Sequence, residues 1–167
     1  MTGTTSLIVS ISGIRGIVGE SLTDDTVRRF AHALATELPP DARVVLARDT
    51  RPSGAGFADV AADALCAAGC HVFDLGVSAT PAAKLMVLEL QADAALILTA
   101  SHNPVAWNGM KLVRADGIFL DAATGRRVEA AYHRSRRRTG DGRVEIVARD
   151  DVEARLLKRI LAVVNVE

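Results

Sequence analysis

Two continuously apolar runs, Arg43–Ala47 (RVVLA) and Ala94–Thr99 (AALILT), bracket a third strand-like run at His71–Leu75 (HVFDL), with a helical pattern in each interval. A run without polar alternation suits a strand buried on both faces, and such strands belong to parallel sheets covered by helices. Phe57, Val60, Ala61, Ala64, Leu65 and Ala68 fill one helical face in the first interval, and Gly69 can end that helix. Thr80-Pro81 has the chemistry of a helix start in the second, with the helix running to about Gln91. Strand, helix, strand, helix, strand predicts an α/β fold of three layers, α/β/α, on a mostly parallel sheet.

The flanking segments extend this frame. Leu7–Val9 reads as a first strand that empties into a glycine-spaced loop, Ser12-Gly13-Ile14-Arg15-Gly16-Ile17-Val18-Gly19. Thr23 can cap a helix with Asp24 and Asp25 in its first turn. Its apolar stripe is Val27, Phe30, Ala31, Leu34 and Leu38, and Pro39-Pro40 stops it. Beyond residue 99, Met110–Arg114, a turn at Asp116-Gly117, and Ile118–Leu120 predict an added antiparallel hairpin strand. A polar helix over Thr124–Arg138, a Gly140-Asp141-Gly142 turn and an amphipathic segment (Val152, Leu156, Ile160, Val163) complete the chain.

A length of 167 residues is that of one ordinary domain. Residues 1–150 are expected to form it, with 151–167 a linker helix toward a second domain missing from this sequence. Twenty basic against twenty acidic residues leave no net charge, so no nucleic-acid or membrane surface is advertised. Arg134, Arg136, Arg137 and Arg138 read as solvated charges at a helix end, where cations suit the dipole. Cys66 and Cys70 read as small buried hydrophobes. The N-terminus lacks a signal-peptide pattern, and no apolar run reaches the roughly 20 residues that span a bilayer. The expected location is the cytoplasm.

Ligands of open α/β sheets bind at the carboxyl ends of the strands. The loops there carry Ser12, Gly13 and Arg15; Arg48, Asp49, Arg51 and Ser53; Ser78 and Thr80; and Thr99, Ser101, His102 and Asn103, with Asn108 and Lys111 just beyond. Glycines beside Arg15 suit the close approach of an oxyanion. Ser101 follows a strand directly and is presented rather than packed; a serine can carry a phosphoryl group and split one transfer into two. Lys111 supplies a mobile charge where phosphate charge shifts between oxygens. Blander readings stand beside these. Asn108-Gly109 suits a turn, Arg48, Asp49 and Arg51 suit a salt-bridged loop with Asp49 as buttress, and Lys111 suits a solvated edge. The glycine spacing G-x-x-G-x-x-G is not the dinucleotide fingerprint, and no G-K-[ST] is present.

Thr99-Ala100-Ser101-His102-Asn103-Pro104 with Trp107-Asn108-Gly109-Met110-Lys111 resembles the phosphoserine loop of the α-D-phosphohexomutase superfamily. Gly13-Ile14-Arg15-Gly16, Arg48-Asp49-Thr50-Arg51 with Ser53-Gly54, and Gly76 with Thr80-Pro81 match in order. The likeness is strong over about residues 6–120. It implies that Ser101 carries the phosphoryl group and that its phosphate ligates Mg²⁺. Arg15, Lys111 and His102 would assist transfer, and Ser12, Gly13, Arg48, Asp49, Arg51, Asn103 and Asn108 would shape the substrate and phosphate loops. The implied partners are hexose phosphate, hexose bisphosphate and three further domains (II–IV). Val9-Ser10-Ile11-Ser12 replaces the family's frequent aromatic-Gly-Thr, and Gly140-Asp141-Gly142 lacks a second metal-binding aspartate. The chain is therefore expected to be a first domain, inactive alone as a mutase; the competing expectation is a stand-alone binding or regulatory module of that ancestry.

Overall fold

A computed structural model describes residues 6–10, 13–134 and 138–164. The elements run β1 (Ile8–Ser10), β2 (Gly13–Ile17), α1 (Asp24–Thr36), β3 (Arg43–Arg48), α2 (Gly54–Ala67), β4 (His71–Val77), α3 (Thr80–Glu89), β5 (Ala94–Leu98), β6 (Trp107–Arg114), α4 (Ala122–Arg134), β7 (Arg143–Ile146) and α5 (Arg149–Leu161). One sheet orders them β1-β2-β6-β5-β3-β4-β7. β5, β3, β4 and β7 pair in parallel. β6 is antiparallel to both β5 and β2, so β2 points the same way as the parallel block.

Strand alternation divides the core into two layers. Val44, Leu46, Leu96, Met110 and Leu112 face α1, α2 and α4, through Phe30, Leu34, Phe57 and Leu65. Val45, Ala47, Phe73, Ile97 and Val113 face α3 and α5, through Ala83, Met86, Val87 and Val152. This is the expected three-layer arrangement, with both faces of the central strands excluded from water.

Local signals explain the start of α1 and the end of α2. Thr23 caps α1, its side chain accepting from Thr26 N–H. Gly69, at φ +82°, ends α2 in a Schellman motif: Gly69 N–H donates to Cys66 O, and Cys70 N–H to Leu65 O.

Several expectations need correction. The glycine-spaced segment is not a loop: Gly13–Ile17 is a strand, hydrogen-bonded between β1 and β6. Its glycines lower its strand propensity, but the close approach of Met110 on β6 demands Gly13, and Ser21 and Leu22 crowd Gly16. The predicted hairpin strand Met110–Arg114 is the end of the full sheet strand β6. Phe119 forms only an isolated bridge to Val113 across the Asp116-Gly117 turn. α3 starts one residue early, with Ala79 rather than Thr80 as its cap. β7 was not foreseen; all four of its residues are exposed, which erases the apolar signal.

α4 is described over Ala122–Arg134, and Arg138 is not helical. Arg138 is not a solvated charge: its guanidinium donates to Ala68 O, Leu38 O and Pro39 O, at the carboxyl ends of α1 and α2. Arg136 and Arg137 lie outside the described residues. α5 begins at Arg149 and packs on α3 through Val152 and Leu156, so its first turns belong to this core. Cys70 is buried and Cys66 partly so, both as free thiols. Among the described residues, no helix is long and apolar enough to cross a membrane.

Candidate active site

The carboxyl ends of β2, β3, β4 and β5 and the start of β6 meet at one edge of the sheet. There Asp49 N–H donates to Leu98 O, Ser78 N–H to Arg48 O and Val18 N–H to Ala106 O. The segment Thr99–Ala106 joins β5 to β6 across this edge. Thr99 and Ala100 are buried, whereas Ser101 and His102 are exposed. Ser101 has φ +58°, the left-handed region that non-glycine residues rarely enter. Its N–H donates to Thr99 Oγ1 at 3.0 Å, and Asn103 N–H donates to Ala100 O at 3.2 Å.

Arg51 holds this turn from behind. Its Nη1 donates to Pro104 O and Trp107 O, each at 2.8 Å, and its Nη2 to Ser101 O at 3.0 Å and Asn103 O at 2.7 Å. Nε donates to Asp49 Oδ2 at 3.2 Å, and Asp49 Oδ1 accepts from Arg51 N–H. A guanidinium has five N–H donors, so every one is engaged within the chain. The salt-bridged-loop reading of Asp49 and Arg51 thus describes the geometry, with an addition that the sequence did not reveal: the pair grips a loop some fifty residues away.

Arg48 ends β3, partly exposed at the same edge. Asn108 is fully buried. Its Nδ2 donates to Ser53 Oγ at 2.9 Å and its Oδ1 accepts from Gly109 N–H at 2.8 Å, which leaves Ser53 without a capping bond to α2. Asn108-Gly109 is therefore mid-strand, not a turn. Asn103 Oδ1 is buried with no hydrogen-bond partner among the described residues. Ser12 lies outside the described residues.

Arg15 and Lys111 are strand residues rather than loop residues. Arg15 pairs with Gly109, two positions before Lys111 on β6. The two side chains share the α3 face of the sheet, because Ile14, Met110 and Leu112 take the other. As diagonal neighbours their backbones stand roughly 7–8 Å apart. Lys111 Nζ lies 5.4 Å from the centroid of the Phe119 ring, and Lys84 Nζ of α3 lies 4.8 Å from it. Neither Lys84 nor Phe119 stood out in the sequence, since only the packing of α3 beside β6 brings them together. β2 and β6 approach so closely that a Cβ on Gly109 would meet Ile14 O at 2.2 Å, and one on Gly13 would meet Met110 O at 2.4 Å. Gly13, at φ +118°, also needs glycine's backbone freedom.

Among the described residues, no group of three His, Cys, Asp or Glu could hold a metal ion. The edge presents Ser101 on a loop gripped by Arg51, with Arg48 and Asp49 at the same edge. Residues 7–139 match the family model of phosphoglucomutase/phosphomannomutase, alpha/beta/alpha domain I.

This chain belongs to that family.

Domain I is 34% identical over 152 residues to a phosphoglucomutase/phosphomannomutase of Thermococcus kodakarensis, a match covering 85% of this chain and 33% of the relative. It is 30% identical over 158 residues to a phosphoglucosamine/phosphogalactosamine mutase of Sulfurisphaera tokodaii, covering 93% of this chain and 35% of the relative. The solved structure of a phosphoglucomutase/phosphomannomutase family protein from Burkholderia thailandensis superposes with a TM-score of 0.77. It shares 29% identity over 93% of this chain and 36% of that one. The chain spans about a third of the length of the curated relatives named here.

Proposed function

We propose that this chain is the phosphoryl-carrying domain of a phosphohexomutase, an isomerase that interconverts hexose 1-phosphate and hexose 6-phosphate, with Ser101 as the carrier. The observation that carries the reading is Ser101 itself: exposed, in the left-handed region, at the turn of a loop held by four bonds from Arg51. Positive φ also occurs at exposed Asp41 and Gln91, so the held loop, rather than the backbone conformation alone, carries the weight.

The reaction is two transfers. A hexose monophosphate hydroxyl attacks phosphorus on phospho-Ser101. The new O–P bond forms as the Ser101 Oγ–P bond breaks, and the hydroxyl proton ends on Oγ. The hexose bisphosphate reorients, and Ser101 Oγ takes the other phosphoryl group by the same steps in reverse. Arg15 and Lys111 contact the oxygens between which charge moves and help with proton transfer, and His102 assists beside Ser101. Arg48 lies at this edge, whereas Gly13 begins β2 against the backbone of Met110, with Ser12 ahead of it in sequence. Asp49, Arg51 and Asn108 act by position, since their polar atoms are committed within the chain.

Mg²⁺, bound through the Ser101 phosphate, would neutralise charge on the transferring group. The side chains here do not complete such a site, so the remaining ligands belong to the further domains, II–IV, of the whole protein. Those domains also hold the choice of sugar, and the chain alone is expected to be inactive as a mutase. We place the linker in the part of α5 beyond Leu156, later than the residue 150 expected from the sequence because Val152 and Leu156 pack in this core, and the protein in the cytoplasm.

The test is the intact mass and peptide map of the protein isolated from its native cell. A product about three times as heavy as this chain, with phosphate on the Ser101 peptide, is expected. Unmodified Ser101 in a protein that interconverts hexose phosphates would overturn the assignment.

A further inference from the structure

The Arg51 guanidinium reaches four carbonyl oxygens, those of Ser101, Asn103, Pro104 and Trp107, within 3.0 Å. Bonds of this kind, with an ionised donor, are stronger than neutral ones, and the guanidinium fork fixes their directions. The side chain is 11% exposed and its charge is matched by Asp49, so its effect is orientation rather than field. A planar trans peptide sets the N–H of each residue opposite the preceding carbonyl. Turning Ser101 O toward Arg51 therefore turns His102 N–H away from it. No partner for that N–H occurs among the backbone bonds of the described residues, whereas Ser101, Asn103 and Trp107 N–H are all engaged.

We propose that Arg51 is a positioning residue: it fixes the peptide between Ser101 and His102 so that His102 N–H donates to a phosphate carried on Ser101 Oγ. The positive φ of Ser101 is the backbone condition for this arrangement, and the four bonds hold it there. The same saturation removes Arg51 from direct substrate binding. Only the donation to phosphate rests on the function proposed above; the grip on the loop does not.

The experiment uses the ¹⁵N-labelled chain, wild type, Arg51→Lys and Arg51→Ala, with Leu46 and Leu96 amides as reporters of an intact sheet. In wild type, the amide-to-Hα coupling and the intraresidue cross-peak of Ser101 are expected to report positive φ. In Arg51→Ala, the Asn103 and Trp107 amides are expected to exchange faster by about tenfold or more while the sheet amides do not, and guanidinium ion to reverse the change. If Arg51→Ala does not fold, Arg51→Lys carries the test, because three ammonium donors cannot serve four carbonyls. Unchanged loop exchange and an unchanged Ser101 coupling in the folded variant would sink the clamp.

The second half is read with phosphoserine installed at position 101 during translation. The His102 amide proton is expected to move downfield in wild type but not in the Arg51 variant. A His102 amide that ignores the phosphate, or responds equally in both, overturns the donor. Transfer from a hexose bisphosphate to unmodified Ser101 is a separate measurement; its failure would strike the proposed function and leave the clamp standing.

Discussion

Asn108 Nδ2 donates to Ser53 Oγ at 2.9 Å, joining the second residue of β6 to the residue before α2. The amide is wholly buried, and its other end accepts from Gly109 N–H. Replacing it by alanine orphans the buried Gly109 N–H and the partly buried Ser53 hydroxyl. Asn108→Ala is expected to cost about 1–3 kcal/mol in urea unfolding. A loss below about 0.5 kcal/mol, the scatter of neutral surface changes, would mean that water replaces the amide there.

Two glycines predict opposite signs. A methyl on Gly109 drives into Ile14 O, so Gly109→Ala must separate β2 from β6 and is expected to destabilise by about 1–3 kcal/mol. Gly56, in the first turn of α2, has open space where a Cβ would stand. Gly56→Ala is expected to stabilise by about 0.5–1 kcal/mol through helix propensity. Thermal unfolding of the two variants side by side decides the matter; equal shifts would contradict the packing described.

Acid sensitivity is expected at the turn after β6. Hydrogen bonds from Arg114 lower the Asp116 pKa, and those from Thr124 first, then Arg114, lower that of Asp121. A carboxyl whose folded pKa is depressed contributes stability above its unfolded value, about 3.9, and loses it as pH falls through the folded value. Unfolding free energy should therefore fall below pH ~4, and less steeply in Asp121→Asn. The same slope in both proteins would assign the acid loss elsewhere.

Burial raises the pKa of both Cys66 and Cys70 thiols. Less thiolate at neutral pH and restricted access predict slow alkylation of the native chain, with Cys70 the slower. Peptide mapping after timed iodoacetamide treatment checks the order. Rapid labelling of Cys70 in the folded chain would contradict its burial.

Lys111 tests the chemistry. In the whole protein, Lys111→Met is expected to slow phosphoryl transfer by roughly 10²-fold or more if its ammonium follows the moving charge. Single-turnover transfer to Ser101 from a hexose bisphosphate is the readout. An unchanged rate would leave Lys111 as an interior-strand lysine beside the Phe119 ring.

The apolar runs at 43–47 and 94–99, the caps at Thr23 and Gly69, and the serine-loop motif around Ser101 were legible because each depends on neighbours within a few residues. Period, cap and turn chemistry are local properties, and the sequence states them directly. β2, the full length of β6, the exposed edge β7 and the anchoring of Arg138 were not legible. Each gains its hydrogen bonds from residues distant in sequence, and β2 does so against its own glycine content. The site divides the same way. Sequence alone nominated the residues proposed to carry the chemistry, Ser101, His102, Arg15 and Lys111. Tertiary structure decided that Arg15 and Lys111 share one sheet face, and that Arg51 reaches across fifty residues to hold the serine loop. A guanidinium's partners are fixed by where the chain returns in space, which no local pattern encodes.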